Sequence, residues 1–335
     1  MDPISVKLQL YDGLTLSGGG SKGIIMLGIL HYCVENKRIN LNEINFFSGT
    51  SVGAVISLLL VCGYSPIEIY QKLSTMENFF VENSNYAAAN SSFKNKTDHL
   101  GSYKKNDMNS KMTGIMQSDG LQNIIASLVT KKLGVTKTPT FLELFHRTGK
   151  GLYMSGTNTT TKSEEIFSHI THPNLDCVEG AVMSSLIPIM FKAKEYENNI
   201  IADGGIVNNL PWDYISDSSN KILAILLGTA SIQFPEDSAL GYLYNLIMTP
   251  VTRLTQLRKE IAPNNVEIIE CVWECGMLQM VLTKEQKWKM FLFGYHTAER
   301  FYNSDLIFVD GWKSMAVRRN IYKKKPGDGW EFGDD

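Results

Sequence analysis

Ser51 sits at the centre of Gly49-Thr50-Ser51-Val52-Gly53, Asp203 heads Asp203-Gly204-Gly205, and Gly18-Gly19-Gly20-Ser21-Lys22-Gly23 precedes both. A hydroxyl, a carboxylate and a loop rich in backbone N–H groups are the parts of nucleophilic acyl transfer. In the G-x-S-x-G pattern, the glycines at 49 and 53 permit a tight strand-to-helix turn. Ser51 then stands exposed, with the positive end of the following helix behind it. Consecutive glycines at 18–20 let N–H groups converge on one anion, here a tetrahedral oxyanion, and each such donor is worth ~10²–10³ in rate.

Each segment also has a plainer reading. Ser51 could merely cap a helix, and Asp203-Gly204-Gly205 could be an ordinary turn. Gly18 to Gly23 could cradle a nucleotide phosphate, as G-x-G-x-x-G does in dinucleotide-binding folds. A P-loop is excluded because Lys22 precedes Gly23 instead of following it before Ser or Thr. A dinucleotide site needs an acidic residue at the end of the next strand. Glu43 precedes that strand, and Gly49-Thr50-Ser51 occupies its end.

Ser51 needs a proton acceptor. Of six histidines, only His296 follows Asp203, so a Ser-Asp-His order could use only that one. It falls on a helix that also carries Trp288, Phe291, Leu292 and Tyr295, where a packing or surface role is the commoner one. Asp203 fits better: it ends the apolar strand Ile200-Ile201-Ala202, the glycines after it allow close approach, and partial burial would raise its pKa.

The elements around these residues alternate. Leu8 to Leu10 and Leu14 to Leu16 predict strand leading into the first glycine loop, and Ile24 to Leu30 begins a helix. Ile44 to Ser48 predicts a second strand before Ser51, and Ala54 to Cys62 a buried helix. This repeated strand-turn-helix predicts parallel strands with crossover helices, an α/β fold. Further on, Leu121 to Leu133 predicts a helix stopped by Gly134. Thr140 and Glu143 form a capping box for Phe141 to His146. Gly151 to Thr157, Ile200 to Ala202 and Ile222 to Leu227 predict strands. Val178 to Leu186 and Glu285 to Tyr302 predict helices. Residues 83–118 form a polar excursion, either a lid or a plain loop.

Hydrophobic residues at 44% and charged residues at 20% describe an ordinary globular chain, and a net charge of −2 removes any bulk attraction to nucleic acid. Five cysteines without paired CxxC spacing favour a reducing compartment over a disulfide framework. No basic and apolar leader is read at the N-terminus, and the longest apolar run, Ala54 to Cys62, is far short of the ~20 residues that cross a bilayer. The expectation is a cytoplasmic chain with at most peripheral membrane contact. Two segments could make it. One is the apolar run Leu186 to Phe191, for which core packing is the alternative. The other is the helix from Glu285, with Lys284, Lys287 and Lys289 near lipid headgroups.

Together the three blocks resemble the patatin-like phospholipase family, whose pattern is a glycine-rich loop with a basic residue, then G-x-S-x-G, then D-G-G/A. Ala181 to Pro188 resembles the helix-and-proline segment before the family aspartate, and Asn208-Asn209-Leu210-Pro211 the segment after it. The likeness covers roughly residues 12–215, with 216–335 an α/β extension packed on the same domain. It implies a three-layer α/β/α sandwich around a mostly parallel sheet. It further implies lipid acyl hydrolysis by a Ser51–Asp203 dyad without histidine, metal or cofactor. By position, the backbone of Gly18, Gly19 and Gly20 would form the oxyanion hole, with Ser21, Lys22, Gly23, Gly49, Gly53, Gly204 and Gly205 in support. The implied partner is a lipid substrate in a membrane or aggregate. A catalytically silent lipid-binding or scaffold member is the rival reading, and a nucleotide-binding enzyme the next.

Overall fold

A computed structural model of the 335-residue chain describes residues 11–76, 118–188, 190–217, 219–228, 239–273 and 282–303. One sheet organises them: β1 (Gly13–Leu16), β2 (Phe46–Thr50), β3 (Gly151–Asn158), β4 (Ser163–Ser168), β5 (Lys194–Tyr196), β6 (Asn199–Asp203), β7 (Ile222–Gly228) and β8 (Val266–Val272). The order is β5-β6-β3-β2-β1-β7-β8, with β4 also on β3. Strands β3, β2, β1, β7 and β8 pair in parallel, while β4, β5 and β6 are antiparallel additions at one side. Among the described residues the helices are α1 (Gly23–Glu35), α2 (Val52–Val61), α3 (Pro66–Thr75), α4 (Asp119–Leu133), α5 (Phe141–Thr148), α6 (Cys177–Ser184), α7 (Ala239–Glu260) and α8 (Lys284–Tyr302).

Strand β7 explains the layering. Its run Ile222-Leu223-Ala224-Ile225-Leu226-Leu227 is apolar on both faces, as a strand covered on both sides must be. Leu223, Ile225 and Leu227 join the larger core with α1 and α2, and Ile222, Ala224 and Leu226 join a smaller one with Leu210, Trp212 and Ile215. On the smaller side Trp212 Nε1 donates to Arg258 O at 3.2 Å, tying that layer to α7. The fold is therefore the three-layer α/β/α sandwich around a mostly parallel sheet that the family resemblance implies.

Helices α1 and α8 cross backbone to backbone. A Cβ on Gly28 would fall 1.9 Å from Phe291 O, and one on Gly294 2.0 Å from Ile25 O, so both positions require glycine. The crossing buries Met290, Phe291 and Phe293. It also buries Lys287, which donates to Leu73 O at 3.1 Å and to Met76 O at the end of α3. Lys287 is thus a helix-terminal tie and not a headgroup contact, which corrects the expectation for that lysine, while Lys284 and Lys289 are exposed. The other interfacial segment, Leu186 to Phe191, resolves toward packing: Leu186, Ile187 and Phe191 are buried.

Helix α6 stops at Ser184, two residues before the predicted end, because Ile187 precedes Pro188 and that pairing disfavours helix. The predicted strand at Leu8 to Leu10, and residues 83–117 of the excursion, lie outside the described residues. No described helix is long and apolar enough to cross a membrane.

Candidate active site

The turn between β2 and α2 holds Ser51 at φ 55°, ψ −126°, a left-handed backbone that side chains seldom adopt. It persists because its surroundings leave no alternative. A Cβ on Gly49 would lie 2.5 Å from Gly53 O, and one on Gly53 2.3 Å from Leu16 O, so chain crosses chain at both glycines. Ser51 N–H donates to Ser184 Oγ at 3.0 Å, and Thr50 Oγ1 to Asn208 O at 2.8 Å. The Ser51 hydroxyl makes no capping hydrogen bond to α2, although it occupies the cap position.

Gly18 lies against this turn: a Cβ there would be 3.2 Å from Ser51 Cβ. Its N–H donates to Asn209 Oδ1 at 3.0 Å. That donor is engaged, so the N–H groups of Gly19 and Gly20, which make no hydrogen bond among the described residues, are the ones open to an anion. Lys22 is buried and donates to Gly228 O at 3.2 Å, anchoring the loop to the end of β7. Gly23 opens α1.

Asp203 ends β6 with only 6% of its surface exposed. Gly205 N–H donates to its Oδ1 at 2.7 Å. Burial raises its pKa from 3.8 to about 6, and the Ser51 hydroxyl and the Gly205 N–H pull the other way. The carboxylate Oδ2 is buried and accepts no hydrogen bond of normal geometry among the described residues. Gly204 backs directly on β3, and Gly205 faces the cleft.

These groups meet in one cleft of about 600 Å³, its open mouth included. Gly18, Gly19, Gly20, Ser51, Asp203, Gly205 and Asn209 line its polar end. Ile187, Pro188 and Ile206 continue the wall, and Ile247, Met248 and Val251 of α7 close it. A hydroxyl, a carboxylate with a pKa of about 6 and open backbone donors thus face an apolar trough. The arrangement suits attack on a carbonyl whose substituent is hydrocarbon.

None of the described histidines lines this cleft. His296 is exposed on α8 with Nδ1 2.8 Å from Glu299 Oε2, His169 stacks on Phe145, and His172 Nδ1 lies 3.0 Å from Ile166 O. His99 is outside the described residues. Glu43, required by the dinucleotide reading, is exposed and accepts from Asn40 Nδ2 at 2.7 Å. Sequence reasoning passed over Asn209, Ser184 and the α7 wall. Asn209 had a signal, since its segment matches the family pattern after the aspartate. Ser184 had none, because its role depends on a contact 133 residues away in the chain.

The layering and the strand-turn-helix around Ser51 define an α/β/α sandwich with a sharp serine turn at the end of a central strand. Residues 14–215 match the family model described as patatin-like phospholipase, and the chain belongs to that family, which places it among lipid hydrolases. It is 31% identical over 217 residues to "Probable lipid hydrolase 463L" of Invertebrate iridescent virus 6, covering 65% of this chain and 67% of that protein. It is 24% identical over 308 residues to "Uncharacterized protein R571" of Acanthamoeba polyphaga mimivirus, covering 89% and 96%. Its fold is similar to that of VipD from Legionella pneumophila, at a TM-score of 0.50 and 18% identity, over 88% of this chain and 67% of that one.

Proposed function

We propose that this chain hydrolyses fatty-acyl esters of lipids, phospholipids among them, through an acyl-enzyme on Ser51. Asp203 takes the Ser51 proton as Oγ bonds to the acyl carbon. The carbonyl π-electrons move to oxygen, where the N–H groups of Gly19 and Gly20 receive the oxyanion. As the tetrahedral intermediate collapses, the ester C–O bond breaks and the leaving lysolipid or alcohol takes the proton from Asp203. Water then gives a proton to Asp203 and attacks the acyl-serine, and Ser51 leaves with that proton, freeing the fatty acid. Asn209 holds the donor loop against Ser51.

One observation carries this reading: a strained serine whose hydroxyl caps nothing faces a buried carboxylate at the polar end of an apolar cleft. A carboxylate with a pKa of about 6 is a far better base at neutral pH than an ordinary aspartate, yet is still ionised there.

The decisive experiment incubates wild type and Ser51→Ala with a mixed lipid extract and follows released fatty acids and lysolipids by mass spectrometry. Wild type releases fatty acid and takes up a fluorophosphonate probe on Ser51, and Ser51→Ala does neither. Equal release by both proteins refutes the assignment, and a wild type that neither releases fatty acid nor labels is the silent scaffold. A chelator leaves the proposed scheme intact; loss of activity in EDTA restored by calcium contradicts it.

A further inference from the structure

We propose that the outer face of α7 docks on the hydrocarbon of a lipid surface and delivers substrate into the cleft that the same helix walls; this rests on the acyl-hydrolase reading of that cleft. Along α7 and the residue after it, Tyr242, Leu246, Pro250, Leu254, Leu257 and Ile261 recur at spacings of four and three, which puts them on one side of a helix. All six are exposed, Tyr242 and Ile261 by 66% and Leu246 by 56%. Of the seven exposed large hydrophobic side chains among the described residues, five belong to this stripe. Scattered apolar residues need no explanation, whereas a stripe running ~28 Å at 1.5 Å per residue does.

The chemistry of the stripe selects its occupant. Residues 239–252 carry no charged side chain. The cations that follow are already paired: Arg253 with Glu260 at 3.5 Å, Arg258 with Asp213 at 2.6 Å, and Lys259 with Glu270. The face therefore offers hydrocarbon and little charge with which to steer a protein or bind phosphate. Its position selects the same occupant. Ile247, Met248 and Val251 on the inner side of α7 line the cleft with Ser51, so apolar surface runs from the stripe into the site. An acyl chain leaving a bilayer can follow that wall without crossing water.

The test uses the full chain and the double variant Leu246→Ser, Leu254→Ser, both on the stripe and neither on the cleft wall. Each protein is given a short-chain soluble ester and phosphatidylcholine vesicles. The variant is expected to turn over the soluble ester as wild type does, while vesicle hydrolysis and cosedimentation fall about tenfold or more. Added anionic lipid or high salt leaves wild-type binding unchanged. As a second measure, Leu254→Cys carrying a polarity-sensitive fluorophore blue-shifts on adding vesicles, against labelled wild type as the blank. Unchanged vesicle binding, no blue shift, binding only to anionic vesicles, or a wild-type dimer that the variant makes monomeric overturns the proposal. So does loss of soluble-ester turnover through unfolding, which would make the stripe core. Cosedimentation needs no turnover, so an inactive Ser51 sinks the hydrolase reading while docking is still read separately.

Discussion

Among the described residues five helices begin at a serine or threonine, and three of them treat that residue alike. Ser65, Thr140 and Thr283 adopt extended backbone with φ near −80°, −70° and −66°, and each hydroxyl accepts the N–H of the third helical residue. In each case the third residue, Glu68, Glu143 or Gln286, reaches back to the cap N–H. Ser51 stands at the same place before α2, but its φ is 55° and its hydroxyl caps nothing. The third residue there is Ala54, which cannot close a box. One residue type in one topological position thus caps a helix in three places, leaves it uncapped from ordinary right-handed backbone at Ser118, and is turned away from its helix by positive-φ backbone at Ser51. Backbone strain and close glycine crossings impose the difference, and a hydroxyl that caps nothing on the cleft wall is the result.

Second only to removal of the Ser51 hydroxyl, the contrast is tested by Asp203→Asn. Without an acceptor for the Ser51 proton, hydrolysis is expected to fall roughly 10²–10⁴-fold. In wild type, activity should decline as pH drops through about 6, where the carboxylate protonates. Stability should move the other way. The folded pKa lies above the ordinary 3.8, so the native state holds the proton more tightly. This group then costs nothing below pH 4 and destabilises increasingly between about 4 and 6. At pH 8 the asparagine variant is expected to be more stable by up to about 3 kcal/mol. Thermal melts of both proteins at pH 4 and pH 8 read this directly. A variant no more stable at pH 8 than at pH 4, relative to wild type, would mean the carboxylate is not desolvated.

Smaller effects separate the donor loop from the dyad. Asn209→Ala frees the Gly18 N–H and loosens the loop, and is expected to cost about 10- to 100-fold in kcat with KM little changed. Asn209→Asp keeps the acceptor but adds a like charge beside Asp203, so its pH profile should shift above 6. A loss confined to KM would place Asn209 in substrate binding. Gly53→Ala should cost roughly 1–3 kcal/mol through overpacking against Leu16 O, measured by denaturant unfolding.

The layered fold, and the candidate residues that the structure gathers in one cleft, could be read from the chain because they are written locally: glycine spacing, strand-to-helix switches, and a capping box at Thr140. What escaped was of two kinds. Helix α3 had a legible start, Ser65-Pro66-Ile67-Glu68, with proline at the first helical position. Helix α7 did not, because Pro250 lies inside it and reads as a helix breaker. The edge strands β4 and β5 are polar and partly exposed, so no apolar alternation marked them. The engagement of the Gly18 N–H by Asn209 and the burial of Lys287 follow from tertiary contacts, which no local pattern encodes.

The smallest predicted effect is the counterpart of the largest. Thr140→Ala removes the hydroxyl that accepts Glu143 N–H at 3.2 Å, while the backbone N–H of residue 140 can still donate to the Glu143 side chain. The expected loss is about 1 kcal/mol of stability, with hydrolysis of a soluble ester unchanged. Ser51→Ala should do the opposite on both counts: activity vanishes, while stability holds or rises, because no cap is lost and alanine gives up nothing the fold used. If Ser51→Ala instead destabilised as Thr140→Ala does, the hydroxyl would be a cap after all, and the distinction between the two kinds of helix start would fail.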